Sequence, residues 1–161
     1  KTILVSGAEE PIYMPLNDKN PLSKICSTKD YFSSALHEIS HWCVAGADRR
    51  KLIDYGYWYE PDGRSEKQQL LFEQVEIKPQ ALEWLFTEAV GQKFRLSVDN
   101  INQPEMKPST SFKVNVTNQV HLYLSRGLPA RAQLFLRALL GEFKVNMAEL
   151  KSEDFDVSLL D

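Results

Sequence analysis

Along the chain, apolar positions first fall in short runs and then settle into helical spacing. Residues 2–5 are apolar and partly β-branched, and Ile12–Met14 lies between Pro11 and Pro15, which predicts two short strands, the second isolated or at an edge. From about residue 28 the period changes. Phe32, Ala35, Leu36, Ile39, Trp42 and Cys43 form one apolar stripe at helical spacing, so a helix is expected over about 28–45. Ser27 or Thr28 would cap its start, Asp30 would lie near its first turn, and Gly46 would close it.

Residues 47–65 read as a long connection containing Tyr55-Gly56-Tyr57-Trp58-Tyr59 and the turn signal Pro61-Asp62-Gly63. Helical spacing returns over about 66–90. Pro79 is expected to divide this region, sitting in the first turn of its second piece, and Gly91 to close it. A polar loop spans about 97–109. Two further helices, about 110–125 and 129–143, are joined through Arg126-Gly127-Leu128-Pro129 as a helical hairpin, and an acidic, loosely packed tail follows. The fold class is thus α+β and mainly helical, with a small N-terminal β element and a C-terminal helical hairpin.

A length of 161 residues suits one domain, and 43% hydrophobic with 25% charged content is that of an ordinary globular chain. The net charge of −3 and pI near 5.7 argue against a nucleic-acid surface. The two cysteines, Cys26 and Cys43, form no CxxC, so neither a disulfide framework nor a thiolate zinc site is indicated, and a cytoplasmic setting is the simplest. No run approaches the roughly 20 apolar residues needed to cross a bilayer, and no signal peptide is visible. Because the first residue is Lys1, a trimmed N-terminus is expected.

Candidate chemistry concentrates in His37-Glu38-Ile39-Ser40-His41. Residues four apart on a helix share a face, about 5–6 Å apart, so two imidazoles can grip one ion. On a wheel centred on Ile39 both histidines fall about 160–200° away, opposite the apolar stripe. Ser34, Val44 and Ala45 share that side and are too small and apolar for a freely solvated face. A cleft-facing pair is therefore expected, with the HExxH helix packed against a carboxylate-bearing helix.

Glu76 is the first choice for third ligand, with Glu73 one turn earlier as the alternative; Gln80 and Glu83 continue the same polar stripe. Two histidines and a carboxylate leave coordination positions open, which suits catalytic zinc or non-haem iron(II). Glu38 is a general base in a zinc peptidase and an orienting group in an oxygenase. His121 and Cys43 read as structural, and Arg49, Arg50 and Arg64 as helix-end and turn salt-bridge partners. A zinc metallopeptidase of the HExxH…E type and a non-enzymatic helical interaction module with a structural histidine pair are the competing readings.

The segments SALHEISHWCVAG, RRKLIDYGYWYEPDGR and FEQVEIKPQALEWLF, which run through residues 34–86, resemble the bacterial elongation factor P hydroxylases. EEPIYMP before them and VHLYLSRGLPARAQLFLRAL after them extend the likeness more loosely. The resemblance implies a single metal-dependent hydroxylase domain over 1–161, lacking a short native N-terminal segment. It implies hydroxylation of the β-lysylated lysine of elongation factor P, with dioxygen as co-substrate and neither nucleic acid nor membrane as direct partner. His37, His41 and one glutamate of FEQVE would hold the metal, Fe(II) by this reading. The sequence has no HxD, so 2-oxoglutarate is not assigned. A long cationic side chain would be met by aromatic faces and carboxylates, for which Tyr57, Trp58, Tyr59, Asp62 and the glutamate not spent on metal (Glu73) are the candidates.

Overall fold

A computed structural model describes residues 1–56, 64–98, 107–146 and 150–160. The chain divides into two compact units, Lys1–Trp58 and Tyr59–Asp161.

The first unit is built on a three-stranded sheet: β1 (Thr2–Ala8), β2 (Ile12–Met14) and β3 (Ser23–Thr28), in the order β1-β3-β2. β1 runs parallel to β3, with Thr2 opposite Ser23 and Ala8 opposite Thr28, and its register shifts between Val5 and Ala8. β2 is antiparallel to β3 and lies at the edge, where its flanking prolines forfeit no ladder hydrogen bond. β3 was not expected. Its sequence SKICST has little β-branched character, yet Ser23, Ile25, Cys26 and Ser27 are all buried, because the strand is paired on both sides.

That strand moves the start of the next helix. α1 spans Phe32–Val44 rather than starting near residue 28. Thr28 belongs to the sheet, and Lys29 turns the chain with φ +47° while its N–H donates to the Ala8 carbonyl at 2.9 Å. The expected cap by Ser27 or Thr28 is absent. The N-cap position is Tyr31, without a side-chain bond, and Ser34 Oγ instead accepts the Thr28 N–H at 3.0 Å. The apolar stripe is real: Leu36, Ile39 and Cys43 are buried. Gly46 follows the C-cap Ala45 without a left-handed backbone, so that stop uses no special glycine geometry.

The second unit is helical. α2 (Glu66–Ala89) opens with a capping box in which Ser65 Oγ accepts the Gln68 N–H and Gln68 Oε1 accepts the Ser65 N–H. Pro79 does not divide it. The helix runs through the proline because residues 79–87 are buried on every face, and that packing outweighs one missing backbone donor. Gly91, at φ +68°, ends α2 in a Schellman arrangement: its N–H bonds Glu88 O at 2.9 Å and the Gln92 N–H bonds Thr87 O at 3.0 Å.

α3 (Thr110–Arg126) and α4 (Ala130–Phe143) both pack on α2, joined through Gly127 at φ +94° as the expected hairpin. Leu82, Phe86, Phe112, Val116, Val120, Ala132 and Leu136 make the core, and Phe86 meets Phe135 edge-on at 5.0 Å. The tail is not loose. Leu150, Phe155 and Leu160 are buried, Phe155 meets Trp84 edge-on at 5.3 Å, and its carbonyl lies 2.9 Å from His121 Nε2. That last contact gives His121 its structural role. No helix of the described residues is long and apolar enough to cross a membrane.

Candidate metal centre

α1 carries the two histidines one turn apart, and their rings turn towards each other. His37 Nε2 and His41 Nε2 are 3.1 Å apart, with ring centroids at 4.7 Å and planes at 66°. Two metal–nitrogen bonds of about 2.1 Å span about 3.0 Å at a right angle and about 3.4 Å at the tetrahedral angle. The observed separation lies in that interval. Both side chains are half-buried, which removes the reading of a freely solvated pair.

Tyr55 lies flat beside His41, centroid to centroid 6.4 Å and 11° from parallel, and stacks at 4.4 Å and 15° on Tyr13 of β2. The backbone that delivers it is unusual. Asp54 (φ 45°, ψ 35°) and Tyr55 (φ 60°, ψ 15°) are consecutive left-handed residues with side chains, and Gly56 follows at φ +68°. Each of the two non-glycine residues costs of order 1–2 kcal/mol. The positive φ favours glycine at 56; a Cβ there would meet Leu52 Cδ1 at 2.6 Å, the tip of an exposed side chain that can move aside.

Hydrogen bonds hold this elbow. Asp54 Oδ1 accepts the Tyr13 N–H at 2.7 Å, the Tyr13 hydroxyl donates to Arg50 O at 2.9 Å, and Arg49 Nη1 donates to Tyr55 O at 3.0 Å. Arg50 Nη1 donates to Ala45 O at the end of α1. Both arginines thus bond main-chain carbonyls, which shape the loop. Arg64 does likewise, donating to Val98 O at 2.8 Å and Gln69 Oε1 at 3.0 Å while lying over the Phe72 ring.

Burial pushes the Tyr55 phenol above its ordinary pKa, and the Glu38 carboxylate is the foremost charge acting in the same direction. Burial also raises the Asp54 carboxyl, against the Tyr13 N–H bond and the nearby His41, which lower it. Glu38 itself is half-buried.

On α2 the two candidate glutamates have different surroundings. Glu73 is 6% exposed and receives Ser109 through both oxygens: the backbone N–H on Oε1 at 3.2 Å and the hydroxyl on Oε2 at 2.6 Å. It is engaged with the N-cap of α3. Glu76 is 1% exposed, and its Oε2 accepts from Gln80 Nε2 at 3.1 Å. Gln80 is in turn fixed by Ser97, donating to its carbonyl at 2.8 Å and accepting its N–H at 3.0 Å.

Among the described residues, His37, His41 and Glu76 offer one ligand atom each within 4.8 Å of one another. Two imidazole nitrogens and a buried carboxylate oxygen fit a divalent metal and leave positions open for other ligands.

A family model described as elongation factor P hydroxylase matches residues 1–155. An elongation factor P lysine hydroxylase of Haemophilus influenzae is 48% identical over 163 residues, covering 99% of this chain and 88% of the relative. The chain belongs to the elongation factor P hydroxylase family. Membership in this hydroxylase family makes the chain an oxidoreductase and displaces the metallopeptidase and interaction-module readings. The expected substrate-side residues Tyr57, Trp58, Tyr59 and Asp62 lie outside the described residues.

The reading from sequence alone missed the Tyr13–Tyr55–His41 stack and the clamp on Glu76. Asp54-Tyr55-Gly56 did carry turn composition, and Gln80 does stand four residues after Glu76, the spacing at which helix side chains meet.

Proposed function

We propose that this chain hydroxylates a lysine side chain of elongation factor P, already extended by a β-lysyl group, at a ferrous centre held by His37, His41 and Glu76. Family membership supports the reaction and the protein substrate. The convergence of those three side chains is the observation that carries the site.

Each residue has a definable task. His37 and His41 bind through Nε2, which their position one turn apart directs to a common point. Glu76 brings a negative charge that offsets part of the cation's, and the Gln80 amide fixes the angle of its carboxylate. Glu38, one residue after His37, supplies a carboxylate to orient the incoming ammonium group or a water. When bound, the iron supplies the redox chemistry by which one atom of dioxygen enters an unactivated C–H bond; the other leaves as water, using two electrons from an external reductant. A cationic side chain suits the aromatic Tyr57, Trp58 and Tyr59 together with Asp62. The cytoplasm, where translation takes place, is the compartment this reading requires.

Mass spectrometry tests it. β-Lysylated elongation factor P, incubated with the protein, Fe(II), a reductant and oxygen, is expected to gain one oxygen atom on the modified lysine. The variant carrying both His37→Ala and His41→Ala is expected to lose bound metal and this gain together. Undiminished hydroxylation by that variant would refute the site, and peptide fragments without added oxygen would refute the reaction.

A further inference from the structure

Tyr13 and Tyr55 are stacked partners whose hydroxyls have opposite fates. Tyr13 donates to Arg50 O at 2.9 Å. The Tyr55 hydroxyl is buried, on a side chain 3% exposed, and has no hydrogen-bond partner among the described residues. A sealed phenol O–H without an acceptor is unfavourable, and phenylalanine would fill the same space without it. The chain nevertheless reaches this conformation through two consecutive strained residues. Orphaned polar groups and strained backbone each point to a role beyond packing. The phenol is parallel to the imidazole of His41 and within electrostatic reach of Glu38, two of the three α1 side chains given a task above.

We propose that the Tyr55 hydroxyl is a hydrogen-bond donor reserved for an oxygen atom brought into the metal centre by water or by the protein substrate. This rests on the hydroxylase reading given above. The ring of Tyr55 supports the plane of His41, and the hydroxyl at its end meets the visiting oxygen. The protein without that ligand therefore carries an unsatisfied group which only the working complex satisfies.

Tyr55→Phe keeps the ring and removes only this donor. The metal-free variant is expected to unfold at the same temperature as the parent or higher, with Fe(II) content and affinity within about twofold of the parent. Turnover of elongation factor P is expected to fall about tenfold or more, as when a donor aimed at a reacting group is deleted. A fall in kcat with KM unchanged identifies the oxygen as that of water; a rise in KM identifies it as the substrate's. Tyr13→Phe is the contrast, since it deletes a hydroxyl with a partner and is expected to lower the unfolding temperature. The proposal is overturned if Tyr55→Phe leaves kcat and KM unaltered, or if its metal affinity and stability fall along with activity, which would make the hydroxyl structural. A parent protein without metal-dependent hydroxylation would instead refute the underlying reading.

Discussion

Gln80 offers the sharpest test of how Glu76 is held. Its side chain, 1% exposed, donates to Glu76 Oε2 at 3.1 Å and to Ser97 O at 2.8 Å and accepts the Ser97 N–H at 3.0 Å. Gln80→Leu keeps the volume and deletes all three bonds. The two neutral bonds are worth about 1 kcal/mol each and the one to a carboxylate about 1.5–3 kcal/mol, so a loss of about 3–5 kcal/mol is expected. At about 2–4 °C per kcal/mol for a chain of this length, the metal-free protein should unfold roughly 6–20 °C lower. Losing a donor also loosens the hold on the Glu76 carboxylate, and deleting such an outer partner weakens metal binding about 10–100-fold. By linkage, the stabilisation that saturating Fe(II) confers should shrink by about 1.4–2.7 kcal/mol. Anaerobic metal titration beside thermal unfolding, with and without Fe(II), measures both quantities. A variant that unfolds early but binds Fe(II) as tightly as the parent would refute the reasoning, because Gln80 would then be a staple for Ser97 alone.

Other outcomes follow from the same geometry. Glu38→Gln is expected to retain metal and lose about 10–100-fold in turnover, the scale of a misplaced reacting group; loss of metal in that variant would show Glu38 to be a ligand instead. Ser109→Ala removes the α3 cap and one bond to Glu73, for a loss of about 2–4 kcal/mol by thermal unfolding. Its Fe(II) affinity should hold, and a selective loss of affinity would transfer the ligand role to Glu73. Burial, and then the charge of Asp154, raise the Glu88 carboxyl above its usual range. Its folded form thus favours the proton, a contribution complete below about pH 4.5 and lost as pH rises through the higher folded pKa. Glu88→Gln should therefore unfold at a higher temperature than the parent at pH 7, the gain vanishing below about pH 4.5; a gain independent of pH would show that charge is not its cause.

What the sequence determined by itself was local. Periodicity placed the apolar stripe of α1, and the i, i+4 rule put His37 and His41 on one face, since both depend only on residues a turn apart. The stop at Gly91 and the hairpin at Gly127 were written in the same short-range code or close to it. Tertiary structure decided whatever hung on a distant partner. β3 is a strand because β1 and β2 bond it from both sides, and by claiming Thr28 it sets where α1 begins. α2 passes through Pro79 because α3 and α4 pack on it and bury its second half. Glu76 and Glu73, first and second choice as neighbouring helical carboxylates, differ in surroundings because Ser109, 36 residues away from Glu73, engages it. Tyr55 reaches His41 only because hydrogen bonds from Tyr13 and Arg49 hold a backbone turn that its own residues disfavour. Spacing along a helix fixes which side chains share a face; which of them meets a partner depends on contacts formed only when the chain closes on itself.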